Sequence, residues 1–556
     1  MKVKIIIGLL VLLFPTYGCG SKTQDDGLPS VPVENKRPVD FKSTSYKYSL
    51  EELKNNFSED MMQLAARQYE KVEDVNNKGK WKPTLESFDN HQTPEWFNDA
   101  KFGMFIDWGL WSVAGWAPKK ENGAMYPDWY EFRLDTDSLF MKYHAKTWGN
   151  DFKRDDFIPL FTADRYQPQK LVEIAKEAGI KYIVPFCKHH GGFCLWPSSY
   201  TQRDVGDMGP QKDLIKPLVE SCQKEGLKFG FYFSVEEWEY PLINDEGNLI
   251  NRLWAGKTEP YSNELEKKSS GKIAVRNYAE DYLVPQATEF IDNYDPDILW
   301  FDGDWSTSVY DLHTYDIVAY LYNKAQGKKE VAVNDRLGLE SGPYYDALPG
   351  PPKDKERKWL RFVSGDLFTS EYKDHSYDEP HRRTMEECRG ISQSFGYNWQ
   401  DTDENVISSK AFIEMFIDIV AHGGNLLLIV NLDGQGALPE IQETRLRDIG
   451  KWLKVNGEGI YGTRAYSNSS EGDVRFTRSK NSQIVYAITT IWPGEKLELK
   501  SVIPKNGSDI YLLGSEEPFK WSYDETTRLT TILIPDNLQK EFNRPCKYAY
   551  TIRIEI

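Results

Sequence analysis

The segment Asp295-Pro-Asp-Ile-Leu-Trp-Phe-Asp-Gly-Asp304 contains a short apolar run that ends at the carboxylate of Asp302. Turn-forming residues precede the run and a glycine follows Asp302, as expected for a buried β-strand. Similar runs, rich in β-branched and aromatic residues, occur on both sides of it along the chain, at 101–106, 182–186, 229–233, 331–333 and 426–430.

Amphipathic segments separate these apolar runs. In 168–179 the apolar residues recur at helical spacing on one face, and 214–226 has the same character. Alternation of strands and helices from about residue 95 to about residue 455 indicates a parallel sheet, and this length fits a (β/α)8-like barrel. A doubly wound sheet is the alternative, although no Gly-rich dinucleotide-binding sequence follows the early strands.

The pattern changes after residue 456. Short alternating segments at 482–488, 509–513 and 529–534 are separated by turn residues, which predicts a C-terminal antiparallel β-sandwich. We assign the sandwich a structural role, with Trp492 and Trp521 packed against the barrel. Direct contact of the sandwich with sugar is the alternative. The predicted divisions of the chain are a leader (1–19), a tether with a helical extension (20–85), the barrel (86–456) and the sandwich (457–556).

The leader has the features of an export signal. Lys2 and Lys4 precede an apolar run too short to cross a bilayer, and Thr16-Tyr-Gly-Cys19 follows it. This resembles a bacterial lipoprotein cleavage site with lipidation at Cys19, although Tyr17 is bulkier than the usual residue. The expected location is the periplasm, or the outer membrane with the lipid as the only membrane contact.

Charge and cysteine content exclude several classes of partner and cofactor. The net charge of −17 without a basic patch argues against nucleic acid, whose phosphates would be repelled. The five cysteines after Cys19 form no CxxC pair and no zinc spacing, so we expect neither a metal nor a cofactor. A disulfide between Cys187 and Cys194 remains open in an oxidising compartment, but their apolar neighbours favour separate core positions.

Polar residues follow each apolar run, where a barrel places its functional groups. Asp302 is flanked by Trp300 and Trp305, and indole faces suit a pyranose ring. Taken alone, an aspartate at a strand end is more often a turn residue. The residues at the other strand ends are Asp107-Trp108, Lys188-His-His190, Ser234, Asn334-Asp-Arg336 and Asn431.

Several motifs in order resemble family 29 α-L-fucosidases over roughly residues 90 to 465. The resemblance implies an exported exo-glycosidase that hydrolyses terminal α-L-fucosyl residues of a fucosylated or related glycan with retention of configuration. The motifs are Phe102-Gly-Met-Phe-Ile-Asp-Trp-Gly109, Lys188-His-His-Gly-Gly-Phe-Cys-Leu-Trp-Pro197, Gly226-Leu-Lys-Phe-Gly-Phe-Tyr232, Ile298-Leu-Trp-Phe-Asp302, Ser394-Phe-Gly-Tyr-Asn398 and Gly423-Gly-Asn-Leu-Leu-Leu428.

The resemblance also implies residue roles. Asp302 is the expected nucleophile, and Glu371 in Gly365-Asp-Leu-Phe-Thr-Ser-Glu-Tyr372 is the expected acid/base. Because the acid/base of this family lies on a variable loop, Glu386, Glu236 and Glu237 remain alternatives. His189 and His190 are expected to bind hydroxyls, Tyr232, Trp300 and Phe395 to line the wall for the C6 methyl group, and Arg336 to lie near the nucleophile.

Three departures from the family pattern concern the sugar. Asp107 replaces a histidine, Asp128-Trp129-Tyr130 replaces Glu-Trp-Tyr, and Gly191 stands where aspartate is usual. Asp107 and Asp128 match positions that contact sugar hydroxyls, and a carboxylate, unlike an imidazole, only accepts hydrogen bonds. Two alternatives therefore remain: the same mechanism on another L-sugar such as α-L-galactose, or a catalytically silent glycan-binding lipoprotein.

Overall fold

The computed structural model describes residues 28–32, 35–42, 58–119, 124–262, 268, 270–339, 365–372 and 383–556. The predicted leader with Cys19 lies outside the described residues. The helix predicted over 50–77 is described from residue 58 onward, as Ser58–Lys78. None of the helices in the described ranges combines the length and apolarity needed to cross a membrane.

The barrel region contains eleven strands and thirteen α-helices in its described part. In chain order the strands are β1 Phe102–Asp107, β2 Tyr182–Lys188, β3 Lys228–Ser234, β4 Glu239–Ile243, β5 Leu249–Leu253, β6 Thr258–Pro260, β7 Ile298–Asp302, β8 Ala332–Val333, β9 Leu367–Glu371, β10 Thr384–Gly390 and β11 Asn425–Asn431. The helices are α1 Ser58–Lys78, α2 Leu85–Phe88, α3 Glu95–Ala100, α4 Trp111–Ala114, α5 Tyr130–Thr136, α6 Ser138–Thr147, α7 Pro168–Glu177, α8 Lys216–Glu225, α9 Val284–Tyr294, α10 Val309–Leu312, α11 Thr314–Ala325, α12 Ser409–Ala421 and α13 Glu440–Asn456.

Eight of these strands form one parallel sheet in the order β8-β7-β3-β2-β1-β11-β10-β9. The ends of this sheet meet at Asp366, whose backbone N–H donates to the Val333 carbonyl at 2.6 Å. The Val333 N–H in turn donates to Asp366 Oδ2 at 2.9 Å. The sheet is therefore a nearly closed barrel, and the predicted fold class is confirmed.

Six barrel strands coincide with the predicted apolar runs, but β9 and β10 were not predicted as strands. Both strands carry polar and charged residues, including Thr369, Glu371 and Glu386, that the structure buries or half-buries. Strands whose inward side chains are polar lack the apolar run by which sequence reasoning finds a buried strand.

The predicted amphipathic segments form outer helices of the barrel. On α7 the buried residues are Leu171, Val172, Ile174 and Ala175, and α8 buries Leu218, Val219 and Cys222 on its inward face. Between β3 and α9 the chain makes an excursion that contains the antiparallel sheet β4-β5-β6. All five cysteines in the described residues are free thiols.

The C-terminal region is antiparallel and has its own apolar core. Its strands are β12 Thr463–Glu471, β13 Val474–Ser479, β14 Ile484–Thr489, β15 Lys496–Leu499, β16 Ile510–Leu512, β17 Pro518–Asp524, β18 Leu529–Leu533 and β19 Tyr550–Glu555, in the sheet order β12-β13-β14-β19-β16-β17-β18-β15. Strand β17 pairs with both β16 and β18, and so joins the two halves of the predicted sandwich.

The sandwich packs on the barrel through α12 and α13. Arg475 pairs with Asp418 of α12, and the Trp452 indole of α13 donates to the Ala549 carbonyl at 2.9 Å. The expected packing of Trp492 and Trp521 against the barrel is wrong. Trp492 contacts Tyr550, and the Trp521 indole donates to the Ser508 carbonyl at 2.8 Å, both within the sandwich.

Candidate active site

A cavity of about 230 Å³ opens at the carboxyl-terminal ends of the barrel strands. Asp302 ends β7 and Glu371 ends β9, so the two carboxyl groups come from separate strands at the same end of the barrel. The lining residues are Phe105, Tyr126, Asp128, Trp129, Arg133, Phe186, His189, Tyr232, Trp300, Asp302, Trp305, Arg336, Glu371 and Phe395.

Strand pairing explains how the side chains at the base of the cavity converge. In the parallel pair β3 and β7, Tyr232 is in register with Trp300 and Ser234 with Asp302. Because side chains alternate along a strand, Trp300 and Asp302 lie on the same face of β7. The Tyr232 hydroxyl donates to Asp302 Oδ2 at 2.8 Å, which fixes the carboxylate in the cavity.

Asp302 is held ionised by its neighbours. Burial favours the neutral acid, but interaction with His190, the charge of Arg336 and the Tyr232 hydrogen bond together lower the pKa of Asp302 below its usual range. Arg336 Nη1 donates to Asp302 Oδ1 at 3.1 Å, and His190 Nε2 lies 3.6 Å from Oδ2. A buried but ionised carboxylate at a cavity wall has the charge state required of a nucleophile.

Arg336 contacts both carboxyl groups with one guanidinium. Nη1 contacts Asp302, Nη2 contacts Glu371 Oε1, and Nε donates to Thr369 Oγ1 at 3.0 Å. Thr369 and Glu371 lie two residues apart on β9, and both face Arg336. The planar guanidinium fork therefore sets the position of one carboxyl group relative to the other.

His190 has its two ring nitrogens in different environments. Nδ1 lies 3.0 Å from the Glu236 carbonyl and also contacts the Ser234 hydroxyl, which itself donates to that carbonyl. A carbonyl oxygen only accepts, so the ring hydrogen is assigned to Nδ1. Nε2 is buried and faces Asp302 Oδ2 at 3.6 Å, so His190 lowers the pKa of Asp302 when Nε2 also carries a hydrogen and donates toward this carboxylate.

His189 lines the cavity at the turn that follows β2. Strand β2 ends at Lys188, the chain turns, and the two histidine rings come within 4.4 Å between centroids. Burial and then the neighbouring His190 lower the pKa of His189 well below its usual value, so this ring stays neutral. Because the strand has ended, both histidines reach the site rather than pointing in opposite directions.

Aromatic rings form the floor of the cavity. Tyr232 stacks on Phe186 at 3.9 Å between centroids and lies 5.6 Å from Trp300. The Trp300 indole donates to Glu386 Oε2 at 2.8 Å, so its polar edge is satisfied below the floor. With Phe395, these rings form an apolar surface beside Asp302.

The alternative acids have other partners. Glu386 is fully buried beneath the floor, where it accepts hydrogen bonds from Tyr182 and Trp300, and burial raises its pKa to about 7. Glu237 pairs with Lys188 and Lys272 at 3.0 and 2.7 Å. Burial opposes ionisation of Glu237, but these two lysines lower its pKa to about 2. Glu236 is fully buried and lies 3.8 Å from Arg252.

Asp107 and Asp128 are a pair of buried acids at the cavity edge. Asp128 lines the cavity, whereas Asp107 lies behind the wall and accepts from the Trp111 indole at 2.8 Å. Burial raises the pKa of each acid well above its usual value, and the charge of Asp128 adds to the shift of Asp107. Burial therefore favours the neutral form of each acid, and a neutral carboxyl group can donate a hydrogen bond.

Gly191 has a neighbour that explains the missing aspartate. A Cβ at position 191 would lie 2.6 Å from Glu131 Oε2. The Glu131 carboxyl group, supplied by α5, therefore occupies the space beside the histidines that an aspartate at 191 would need.

Four cavity residues were not predicted as site residues: Phe105 and Phe186, which lie within predicted apolar runs, and the two polar residues Tyr126 and Arg133.

Tyr126 and Arg133 have no such signal in the sequence. Both lie in the connection between β1 and β2 and not at a strand end. The strand-end rule cannot find such residues, and neither belongs to the motifs quoted above. No group of three or more His, Cys, Asp or Glu side chains arranged to hold a metal occurs in the described ranges.

Two family models match the chain. The model described as alpha-L-fucosidase matches residues 68–458, and the model described as alpha-L-fucosidase C-terminal domain matches residues 467–555. Together they cover both structural regions described above.

Similar proteins carry the same description. An alpha-L-fucosidase of Branchiostoma floridae is 29% identical over 86% of this chain and 96% of its own length. A plasma alpha-L-fucosidase of Rattus norvegicus is 30% identical over 85% of this chain and 93% of its own length. The crystal structure of a Thermotoga maritima alpha-fucosidase with a mechanism-based inhibitor superposes with a TM-score of 0.66 at 31% identity, covering 86% of this chain and 100% of that one.

Proposed function

This chain belongs to the alpha-L-fucosidase family and is a glycoside hydrolase, and from that premise we propose that it releases terminal α-L-fucosyl residues by a retaining double displacement in the cavity described above. In the first step Asp302 attacks the anomeric carbon while Glu371 donates a proton to the leaving oxygen. In the second step Glu371 takes a proton from water, and that water displaces Asp302 from the sugar.

The observation that carries this proposal is the shared contact of Arg336 with Asp302 and Glu371. Retaining enzymes hold their two carboxyl groups about 5–5.5 Å apart, because one attacks carbon while the other reaches the leaving oxygen. One guanidinium bridging both groups supports this close arrangement. The differing environments of the two acids support their division of roles: Asp302 is held ionised, whereas the Glu371 side chain lines the cavity and is 27% exposed.

The sugar-binding residues follow from the same cavity. His189 lines the cavity with a ring that burial keeps neutral, and Asp128 lines it with a carboxyl group whose pKa burial raises, which favours the neutral form that donates to a hydroxyl group. The wall of Tyr232, Trp300 and Phe395 is apolar, which suits the C6 methyl group of fucose better than the C6 hydroxyl of galactose. Trp129 and His189 complete the lining.

The test is hydrolysis of nitrophenyl α-L-fucoside, with the anomeric configuration of the first product followed by NMR. We expect wild type to release the α anomer first and Asp302→Ala to lose at least a thousandfold in kcat, because no other described carboxylate replaces Asp302. Asp151→Asn is the matched control, since Asp151 is exposed, pairs with Arg37 and does not line the cavity.

Each alternative predicts a different result. Equal turnover by wild type and Asp302→Ala would refute the assigned nucleophile, and β-fucose as first product would refute retention. A higher kcat/KM on nitrophenyl α-L-galactoside than on nitrophenyl α-L-fucoside would assign L-galactose, in place of L-fucose, as the sugar that the enzyme releases. Binding of fucosylated glycan without turnover would support a silent binding protein instead.

We also propose export and lipidation at Cys19, on the evidence of the Lys2 and Lys4 charges, the apolar run and Thr16-Tyr-Gly-Cys19. Full-length protein expressed in a bacterium should fractionate with membranes and carry lipid at Cys19 by mass spectrometry. Cys19→Ser, compared as the form from which the leader has been removed, should carry no lipid and move to the soluble periplasmic fraction. Membrane association unchanged by Cys19→Ser would refute the anchor.

A further inference from the structure

Arg133 presents a free guanidinium to the cavity. It lies on α5, is half-buried and lines the cavity. Within the described part of the chain Arg133 forms no ion pair. Its guanidinium carbon lies over the Trp129 ring, 6.0 Å from the ring centroid. The other cavity cation, Arg336, is engaged by Asp302 and Glu371, so Arg133 is the lining residue with unused charged donors.

Arg133 lies beside an aromatic wall that the displacement steps do not use. Trp129 and Trp305 line the cavity with their ring centroids 5.8 Å apart, and both are half-buried. Trp254, from the excursion between β3 and α9, stacks on Trp305 at 4.8 Å and lies 5.6 Å from Trp129. Trp305 and Trp254, here called the tryptophan wall, are distinct from the floor formed by Tyr232 and Trp300 and from Trp129, which belongs to the lining assigned to the fucosyl ring.

The two aromatic surfaces suit two neighbouring sugar rings. One ring must lie on the floor for its anomeric carbon to meet Asp302, and the ring on the other side of the glycosidic oxygen needs a surface near the proton donor. Indoles offer flat apolar faces to a pyranose. The His190 ring, whose Nε2 lies 3.6 Å from Asp302, has its centroid 5.4 Å from that of Trp305, so the tryptophan wall lies close to the nucleophile.

We propose that the tryptophan wall binds the sugar on the leaving-group side of the bond, and that Arg133 selects a leaving sugar that carries an anionic group, either a uronate carboxylate or a sulfate ester. This rests on the proposed function. A planar guanidinium binds both oxyanions through paired N–H donors. The chain is otherwise strongly acidic, with a net charge of −17, so a free cation at this position is a local exception.

The acids of the cavity do not oppose an anionic leaving sugar. Asp302 and Glu371 share the charge of Arg336. Burial, together with the charges of Glu371 and Asp302, raises the pKa of Asp128, which favours the neutral form of this cavity-lining carboxyl group.

The experiment compares three fucosides that differ at one carbon of the leaving sugar. They are an α-L-fucosyl galactoside, the corresponding galacturonate and the corresponding 6-sulfate. For wild type we expect kcat/KM on at least one anionic fucoside to exceed that on the neutral one by about threefold to tenfold, the range for a partly exposed charged contact. Arg133→Gln should bring this ratio to about one, and Arg133→Lys should keep part of the preference.

Arg528→Gln is the matched control. Arg528 is an exposed arginine of the sandwich that forms no ion pair with another described residue, and its loss changes net charge equally. We expect its kcat/KM values and their ratio to equal those of wild type. A ratio that falls equally in Arg528→Gln and Arg133→Gln would assign the preference to overall charge and overturn the proposal.

Failure of this proposal is separable from failure of the proposed function. Hydrolysis of nitrophenyl α-L-fucoside tests the function alone. With that activity present, a wild-type ratio of one or less for both anionic fucosides, or a ratio unchanged in Arg133→Gln, overturns the role of Arg133. If the nitrophenyl fucoside is not hydrolysed, calorimetry measures binding of the three disaccharides to Asp302→Asn and to the double variant Asp302→Asn/Arg133→Gln. The double variant should bind the anionic disaccharides about threefold to tenfold more weakly than Asp302→Asn does. Equal binding by the two proteins overturns the role of Arg133.

Discussion

Arg336 determines the charge of the cavity at the scale of single residues. Its guanidinium contacts Asp302 and Glu371 and donates a further hydrogen bond to Thr369 Oγ1. A guanidinium that bridges two acids favours the ionised form of the deeper one and keeps both in place. Substitution of Arg336 therefore tests the electrostatic account without removing either acid.

Arg336→Gln should shift the pH dependence of activity. Loss of the positive charge raises the pKa of Asp302, which must be ionised to attack, so the acidic limb of kcat/KM should move to higher pH. We also expect kcat/KM at the optimum to fall about a hundredfold, the usual cost of losing one preorganised charged donor. Arg336→Lys keeps the charge and should retain the wild-type limb. An unchanged limb in Arg336→Gln would contradict this account.

Glu371→Gln should separate the acid from the nucleophile. A glutamine cannot protonate the leaving oxygen, so fucosides of sugars should lose about a hundredfold to ten-thousandfold in kcat/KM. A dinitrophenyl fucoside, whose leaving group needs no proton, should lose far less in the fucosylation step and accumulate the covalent intermediate on Asp302. Mass spectrometry detects that intermediate. Equal losses on both substrates would remove Glu371 from the acid role.

The chain itself makes most of the site recognisable at this scale. Asp302, the two histidines and Arg336 follow apolar runs, and Glu371 is predicted from the resemblance of residues 365–372 to the acid/base segment of the family. Arg133 and Tyr126 are not recognisable in this way, because they lie in the connection between β1 and β2, Arg133 on the short helix α5, and not at the end of a barrel strand. The burial of Asp107 behind Trp111 depends on tertiary packing, which no local pattern encodes.

At the scale of elements, the barrel depends on a polar junction. Between β8 and β9, Asp366 accepts from the Val333 N–H and from the Tyr322 hydroxyl at 2.9 Å each, and contacts His91 Nδ1 at 2.7 Å. The apolar runs that predicted six strands carry no information on this junction. The sequence therefore predicts a barrel-like sheet, but not which residue closes it.

Asp366→Ala should destabilise the barrel by about 3 kcal/mol, because it leaves a buried N–H, a buried hydroxyl and His91 without their acceptor. Urea unfolding followed by tryptophan fluorescence measures the change. Asp366→Asn keeps one acceptor oxygen and should cost about half as much. If both variants unfold at the wild-type urea concentration, the junction contributes nothing to stability.

Glu386 on β10 couples barrel stability to pH. Its pKa is raised by burial to about 7, above that of an unfolded glutamate, so the folded state holds the proton more tightly. Stability from this group is fully present below the unfolded pKa and declines as pH rises to about 7. Wild type should therefore lose about 1–3 kcal/mol more than Glu386→Gln between pH 4.5 and pH 8, measured by urea unfolding.

Glu386→Gln also tests the alternative acid/base. Since Glu386 lies beneath the floor and holds the Trp300 indole, we expect the variant to keep kcat within about tenfold of wild type. Loss of activity as severe as that of Glu371→Gln, with the same dependence on leaving group, would transfer the acid/base role to Glu386.

At the scale of the whole molecule, ion pairs join the sandwich to the barrel and support the barrel. Arg464 and Lys480 pair with Glu95 and Asp99 near the start of β1, while Arg475 pairs with Asp418 on α12. The change of pattern after residue 456 predicts two regions, but not how they meet, since the contacts join residues hundreds of positions apart.

A chain that ends at residue 456 should therefore fold poorly. The truncation removes the Ala549 carbonyl that accepts from the Trp452 indole and removes Arg475, which pairs with Asp418. It also exposes the face of α12 on which β12 and β13 pack. We expect low solubility and a melting temperature several degrees below that of the full chain, by scanning fluorimetry. Arg475→Ala, which removes one half-exposed pair, should cost no more than about 1 kcal/mol. A truncated chain that is monodisperse, melts with the full chain and hydrolyses nitrophenyl fucoside equally would show that the barrel needs no support from the sandwich.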